Sequence, residues 1–227
     1  MKIKSIFVLS LFLCEPALNA FAPIVHLVIA KQYIDARHIT NPQEKRAILL
    51  GAVYPDIRYV ARVKRSVTHR FTTLHDIDNA PSAFAKGTGL HNLADQRNGW
   101  FEEQCSPIPT MQNRLDIDII KLIADQLAYE TFVADGIKTS TLEALSHIDN
   151  QEISTEIPES IVKKYYENIG IYIQDSPFKS LSHLAYPKKE SALIIDLLPQ
   201  FVNNANIAHA TAELLNYFKK LFESGNH

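Results

Sequence analysis

Asn41-Pro42-Gln43-Glu44-Lys45-Arg46-Ala47-Ile48-Leu49-Leu50-Gly51-Ala52-Val53-Tyr54-Pro55-Asp56 reads as a helix with both ends written into it. Asn41 can accept hydrogen bonds from the first free amides, Pro42 suits the first helical position, and Glu44 completes a capping box. Pro55 disfavours helical geometry in the residue before it, so the helix stops near Val53. The same logic extends outward. Pro23 to His38 places Ile24, Leu27, Val28, Ala30 and Ile34 close to helical spacing. Pro81 and Ser82 open a segment to about Gln104, in which Gly87 and Gly89 weaken helix propensity but allow another backbone to come close. Thr110 to Ala134 is a long helical pattern stopped at Gly136. Pro158 to Gln174 and Lys188 to Glu223 follow, the last bent or split at Pro199. Asp56 to Asp78 reads mostly as loop with a short helix, and Lys138 to Pro158 as a polar connection. The expectation is one compact all-α domain of about six or seven helices.

Composition points the same way. Only 7 of 227 residues are glycine, fewer than a turn-rich sheet fold would use. An apolar content of 46% excludes a disordered chain, which lacks the surface to offset ordering entropy. A net charge of −2 argues against a broad basic face for duplex nucleic acid, though not against a small phosphate-binding site. No nucleophile elbow, P-loop or dinucleotide-binding glycine motif occurs. The nine histidines are the outlier.

Met1 to Ala20 has the layout of a secretory signal peptide: Lys2 and Lys4, a short apolar run from Ile6 to Cys14, then Leu18-Asn19-Ala20 before a cleavage point. The mature domain is then expected to run from residue 21 to 227, in the periplasm or secreted. Cys105 would be its only cysteine, so no internal disulfide is expected. No further stretch is long and apolar enough for a membrane helix.

His91-Asn-Leu-Ala-Asp95 stacks an imidazole and a carboxylate one helical turn apart. Such a pair can share a metal, although a plain helix-face pair is the commoner meaning. Asp56 lies just beyond Pro55, and His69 ends Ser66-Val-Thr-His69. His26 sits amid Val25, Leu27 and Val28, where a lone histidine is more often a satisfied core residue. Together these segments offer the nitrogen and oxygen donors zinc prefers.

Four segments, in this order, resemble the zinc-dependent phospholipase C family. They are Phe21-Ala-Pro-Ile-Val-His26, Leu50-Gly-Ala-Val-Tyr-Pro-Asp56, Ser66-Val-Thr-His69-Arg-Phe71, and Phe84-Ala-Lys-Gly-Thr-Gly-Leu-His91-Asn-Leu-Ala-Asp95. The family includes the catalytic domain of glycosylphosphatidylinositol-specific phospholipases, and the single-strand-specific zinc nucleases are related. The resemblance covers roughly Phe21 to Trp100. It implies the helical fold of that family and a dinuclear zinc centre. One zinc would take Asp56, His69, His91 and Asp95. The other would take His26, Asp95 as a bridge, and the terminal amine and carbonyl of Phe21, where relatives have tryptophan. Asp56 would also serve as the catalytic proton acceptor. His75 is the rival to His69, which fits the Ser-x-Thr-His context better.

The pattern also departs from the family. Gln96 to Glu103 contains no histidine, and His147 has Gln151, not an acid, four residues on. His209-Ala-Thr-Ala-Glu213 has suitable spacing but lies near the C-terminus. Two zinc ions are therefore expected, and the third zinc site of relatives is left with only the His209 and Glu213 pair as a candidate. The implied function is hydrolysis of a phospholipid or other phosphodiester by metal-activated water, with peripheral membrane contact. The alternatives are a nuclease-like phosphodiesterase and an exported metal-binding protein impaired in catalysis. Arg58, Arg62, Lys64 and Arg65 form a basic run that could meet phosphate or simply be solvated.

Overall fold

The computed structural model describes residues 23–105, 114–148, 157–180, 198–199 and 201–225. Its centre is α1 (Pro23–Ala36), a helix with nine buried residues. It packs against α2 (Pro42–Val53), α6 (Ala83–Asp95), α8 (Arg114–Ala134), α9 (Ile137–Leu145) and α12 (Ala205–Ser224). A helix apolar on nearly every side belongs inside a bundle, and five neighbours supply the walls. The architecture is a single all-α domain, with no strand among the described residues. No described helix is long and apolar enough to cross a membrane.

The start of α1 is held by a carboxylate from another helix. The amides of Ile24 and Val25 donate to Asp125 Oδ2 at 3.0 Å and Oδ1 at 2.7 Å. Tyr172, on α10 (Glu159–Gln174), donates its hydroxyl to Oδ2 at 3.0 Å. Asp125 is fully buried on α8. Burial pushes its carboxyl up to about 7, against the pull of these three hydrogen bonds. A raised folded pKa means that its stabilising contribution is complete below about pH 4 and is lost as pH rises to about 7. The stability advantage of wild type over Asp125→Asn should therefore shrink by up to about 4 kcal/mol between those pH values. Denaturant melts of both proteins across the range check this.

α2 starts at its expected cap and ends at Val53 as expected, but Tyr54 before Pro55 is itself helical (φ −60°, ψ −42°) and leads straight into a 3-10 turn. Asn41 Oδ1 accepts from the Gln43 and Glu44 amides, at 2.9 and 3.2 Å. Glu44, expected to complete a capping box, reaches across to Lys86 Nζ at 3.0 Å. α2 and α6 then touch backbone to backbone. A Cβ placed on Gly51 would lie 2.2 Å from the Phe84 carbonyl oxygen, and one on Gly87 only 2.1 Å from that of Ile48. Gly89 faces the Ile77 side chain instead.

Two expected connections prove helical. The stretch after Pro55 holds a 3-10 turn (Tyr54–Asp56) and three short helices, α3 (Ile57–Ala61), α4 (Arg65–Thr68) and α5 (Leu74–Asp78). These are too short to show periodicity. α5 is nucleated by a Thr73/Asp76 capping box, its Thr73 Oγ1 accepting from the Asp76 amide at 3.2 Å. α9 forms inside the expected polar connection because Ile137, Thr141 and Ala144 give it a buried face. The segment from Pro81 divides into α6 and α7 (Asn98–Cys105). α11 (Pro177–Ser180) follows α10. The final helix starts only at Ala205, capped by Asn204, and the first part of the helix expected from Lys188 lies outside the described residues.

Candidate metal centre

Four elements deliver five donor side chains to one cluster, buried at His26, His91 and Asp95 and partly buried at Asp56 and His69. α1 contributes His26, the end of the 3-10 turn Asp56, the residue after α4 His69, and the last turn of α6 His91 and Asp95. His26, His91 and Asp95 can bring one ligand atom each within 4.8 Å of one another, and so can Asp56, His69 and His91. Asp95 lies between the imidazoles. Its Oδ1 is 3.8 Å from His26 Nε2, while Oδ2 is 3.2 Å from His69 Nε2 and 3.9 Å from His91 Nε2. Asp56 Oδ1 is 3.7 Å from His91 Nε2. The His26 and His91 rings stack with centroids 3.8 Å apart.

The orientation of His91 follows from the glycine crossing. Close approach of α6 to α2 sets His91 Nδ1 2.9 Å from the Ala52 carbonyl oxygen. A carbonyl only accepts, so Nδ1 carries the proton and Nε2 presents its lone pair to the cluster. His69 is steadied at Nδ1 by the Thr68 hydroxyl at 2.8 Å. His91 Nε2 and Asp56 Oδ1 are buried and have no hydrogen-bond partner among the described residues. Buried polar atoms are normally satisfied, and a cation is one agent that would satisfy both.

The electrostatics keep the three imidazoles and Asp95 in ligating form. Burial lowers all three histidines, His91 to about 4, so they are neutral at pH 7. Burial pushes Asp95 up, but ion pairing and hydrogen bonding with His91, His69 and His26, as these protonate in acid, outweigh it and hold the carboxyl well below its ordinary range. Asp56 is raised, first by burial and then by the Asp95 charge. Ionised Asp95 with three neutral imidazoles leaves an anionic, nitrogen- and oxygen-rich pocket, to which Asp56 adds a second carboxylate when it gives up its proton. That donor set suits a divalent transition-metal ion.

Around the cluster stand groups with supporting roles. Arg65 Nη2 donates to Asp95 Oδ2 at 2.9 Å, yet its side chain is 49% exposed, so it links the buried carboxylate to solvent. Asn98 Nδ2 donates to Asp95 Oδ1 at 3.1 Å. The Tyr165 hydroxyl donates to the Val53 carbonyl behind Asp56. Lys121 is the group that sequence reading missed. It is only 4% exposed on α8, it pairs with Glu102 Oε1 at 3.4 Å, and its charge acts on both His26 and Asp56. The available signal was a lysine flanked by Ile119, Ile120, Leu122 and Ile123.

The remaining candidates divide clearly. His75 is exposed beside Asn79, 3.3 Å from its Nδ2, whereas His69 lies within the cluster. His209 and Glu213 form an exposed pair at 3.4 Å, one turn apart on α12. His147 is exposed and bonded to Ser146. His91 belongs to both ligand groups, so the division expected between two ions is not a property of the protein side chains alone. Phe21, expected to ligate through its backbone, lies outside the described residues. No family model matches this chain, and searches of curated proteins and of solved structures find no match either, so the centre stands on its geometry.

Proposed function

We propose that this chain is an exported zinc-dependent phosphodiesterase of the phospholipase C type. The observation that carries the reading is the pair of ligand groups, His26 with His91 and Asp95 and Asp56 with His69 and His91, that meet at the shared His91. Bound zinc supplies a water of lowered pKa and polarisation of a phosphoryl oxygen. The chain supplies the rest. Asp95, with an oxygen facing each side of the cluster, is the group suited to bridge two ions. Asp56 Oδ1, buried and pushed toward higher pKa, is the atom suited to take the proton of the attacking water. Arg65 and Lys121 hold positive charge beside Asp95 and Asp56, which would favour a phosphoryl group gaining negative charge at the centre. Hydrolysis adds water across the phosphorus–oxygen bond, leaving a phosphomonoester and an alcohol that receives the proton. The amine and carbonyl of Phe21 would complete the His26 side of the centre after signal cleavage.

A second reading is an exported metal-binding protein without turnover. The observation in its favour is that His209 and Glu213, the pair with third-site spacing, form a surface contact on α12. Metal analysis followed by hydrolysis of bis(p-nitrophenyl) phosphate separates the two. The enzyme reading expects zinc and turnover that chelation removes, and the second expects zinc alone. A correctly processed, folded protein that takes up no zinc contradicts both.

A further inference from the structure

Between Asp56 and Asp76 the chain has no acidic residue and five basic ones, Arg58, Arg62, Lys64, Arg65 and Arg70, although its net charge is −2. Arg62, Lys64, Arg65 and Arg70 are all exposed. Two apolar side chains stand among them in the open, Phe71 at 81% and Val67 at 40%. Isolated exposed apolar residues are ordinary. Here the most exposed large apolar residue of the described chain falls within the strongest concentration of basic charge.

The segment is also held in place. Thr68 and Thr72 are buried, Gln96 Nε2 donates to the Thr72 carbonyl at 2.8 Å, and His69 Nε2 lies 3.2 Å from Asp95 Oδ2. The backbone on either side of Arg70 and Phe71 is thus tied to α6, and only the tips project. A fixed apolar tip within basic charge is the chemistry of an anionic bilayer surface: the apolar group enters the headgroup boundary and the cations stay with the phosphates.

We propose that the segment from Arg62 to Phe71 seats this face of the protein on an anionic lipid bilayer. A single-stranded nucleic acid is the competing partner for a basic surface with an aromatic. Such proteins stack successive bases on several aromatic side chains. Here Phe71 stands alone, Val67 offers no stacking face, and Tyr59 is occupied by Arg58, whose guanidinium lies 3.7 Å over its ring. The inference deepens the phospholipid reading by assigning membrane contact to one segment, and it is separable from hydrolysis because bilayer binding requires no turnover.

The test is sedimentation of the full chain with phosphatidylcholine vesicles, with and without about one third phosphatidylserine, at physiological salt. Binding is expected only with the anionic lipid. Phe71→Ser should weaken it roughly tenfold or more, the loss of one buried phenyl group. Lys64→Gln with Arg70→Gln should weaken it about 25-fold, roughly fivefold for each charge. All three positions are exposed, and an unchanged thermal melt confirms that the variants are folded. Equal binding to neutral vesicles, or unchanged binding by these variants, overturns the proposal. So does displacement of anionic vesicles by a single-stranded oligonucleotide. Turnover of a soluble phosphodiester in a protein that ignores vesicles would defeat this inference alone and leave the hydrolytic reading intact.

Discussion

Asp95→Asn should lower phosphodiester hydrolysis by at least about a thousandfold and leave the protein unable to hold its full complement of zinc. The carboxylate is the one group in reach of all three imidazoles, with Oδ1 toward His26 and Oδ2 toward His69 and His91. Asparagine keeps the shape but loses the charge and half of the ligating capacity. A second readout needs no substrate. A chelator should lower the wild-type melting temperature by about 5–10 °C, the effect of losing a ligand bound near a hundredfold above its Kd in a domain of this size. The asparagine variant should melt at nearly the same temperature with and without chelator. His75→Ala should match wild type in both assays, because His75 is exposed away from the cluster.

Gly87→Ala carries the second large effect, and its sign is diagnostic. At an exposed helical position the change would stabilise by up to about 1 kcal/mol through propensity alone. At Gly87 the new Cβ would sit 2.1 Å from the Ile48 carbonyl oxygen and 2.8 Å from the Ala52 amide. Both are backbone atoms and cannot swing aside. The helices must separate, at a cost of about 3 kcal/mol or more, or a fall of roughly 6–12 °C in melting temperature. Separation also stretches the His91 Nδ1 bond to the Ala52 carbonyl, so zinc affinity should fall about 10–100-fold. Gly99→Ala is the control. Nothing lies within 4 Å of its Cβ, so α7 should gain slightly. Thermal melts and zinc titration of the two variants settle the contrast.

The legible parts of the fold were those with local signals. Asn41 and Pro42 fixed the start of α2, Ser82 the start of α6, and Gly136, at φ 68°, the break after α8. The short helices after Pro55 are hidden because four or five residues cannot display a 3.6-residue period, and the Thr73/Asp76 box lies in a charged stretch that reads as loop. α9 was hidden by polar residues on its outer face. In the site, spacing exposed His91 and Asp95, since one helix carries both. Order along the chain nominated His26, Asp56 and His69, but only tertiary packing could show that they converge. Lys121 and Asp125 were read as parts of a long helix, because their meaning lies in α1 and the cluster rather than in their own neighbours.

Zinc stoichiometry, measured by elemental analysis after reconstitution and exhaustive dialysis, tests the central claim most directly. The wild-type protein should retain about two ions per chain, and Asp95→Asn fewer than one. A folded wild-type protein that retains none, and whose melting temperature ignores both zinc and chelator, would show that His26, Asp56, His69, His91 and Asp95 are a buried polar cluster and not a metal centre.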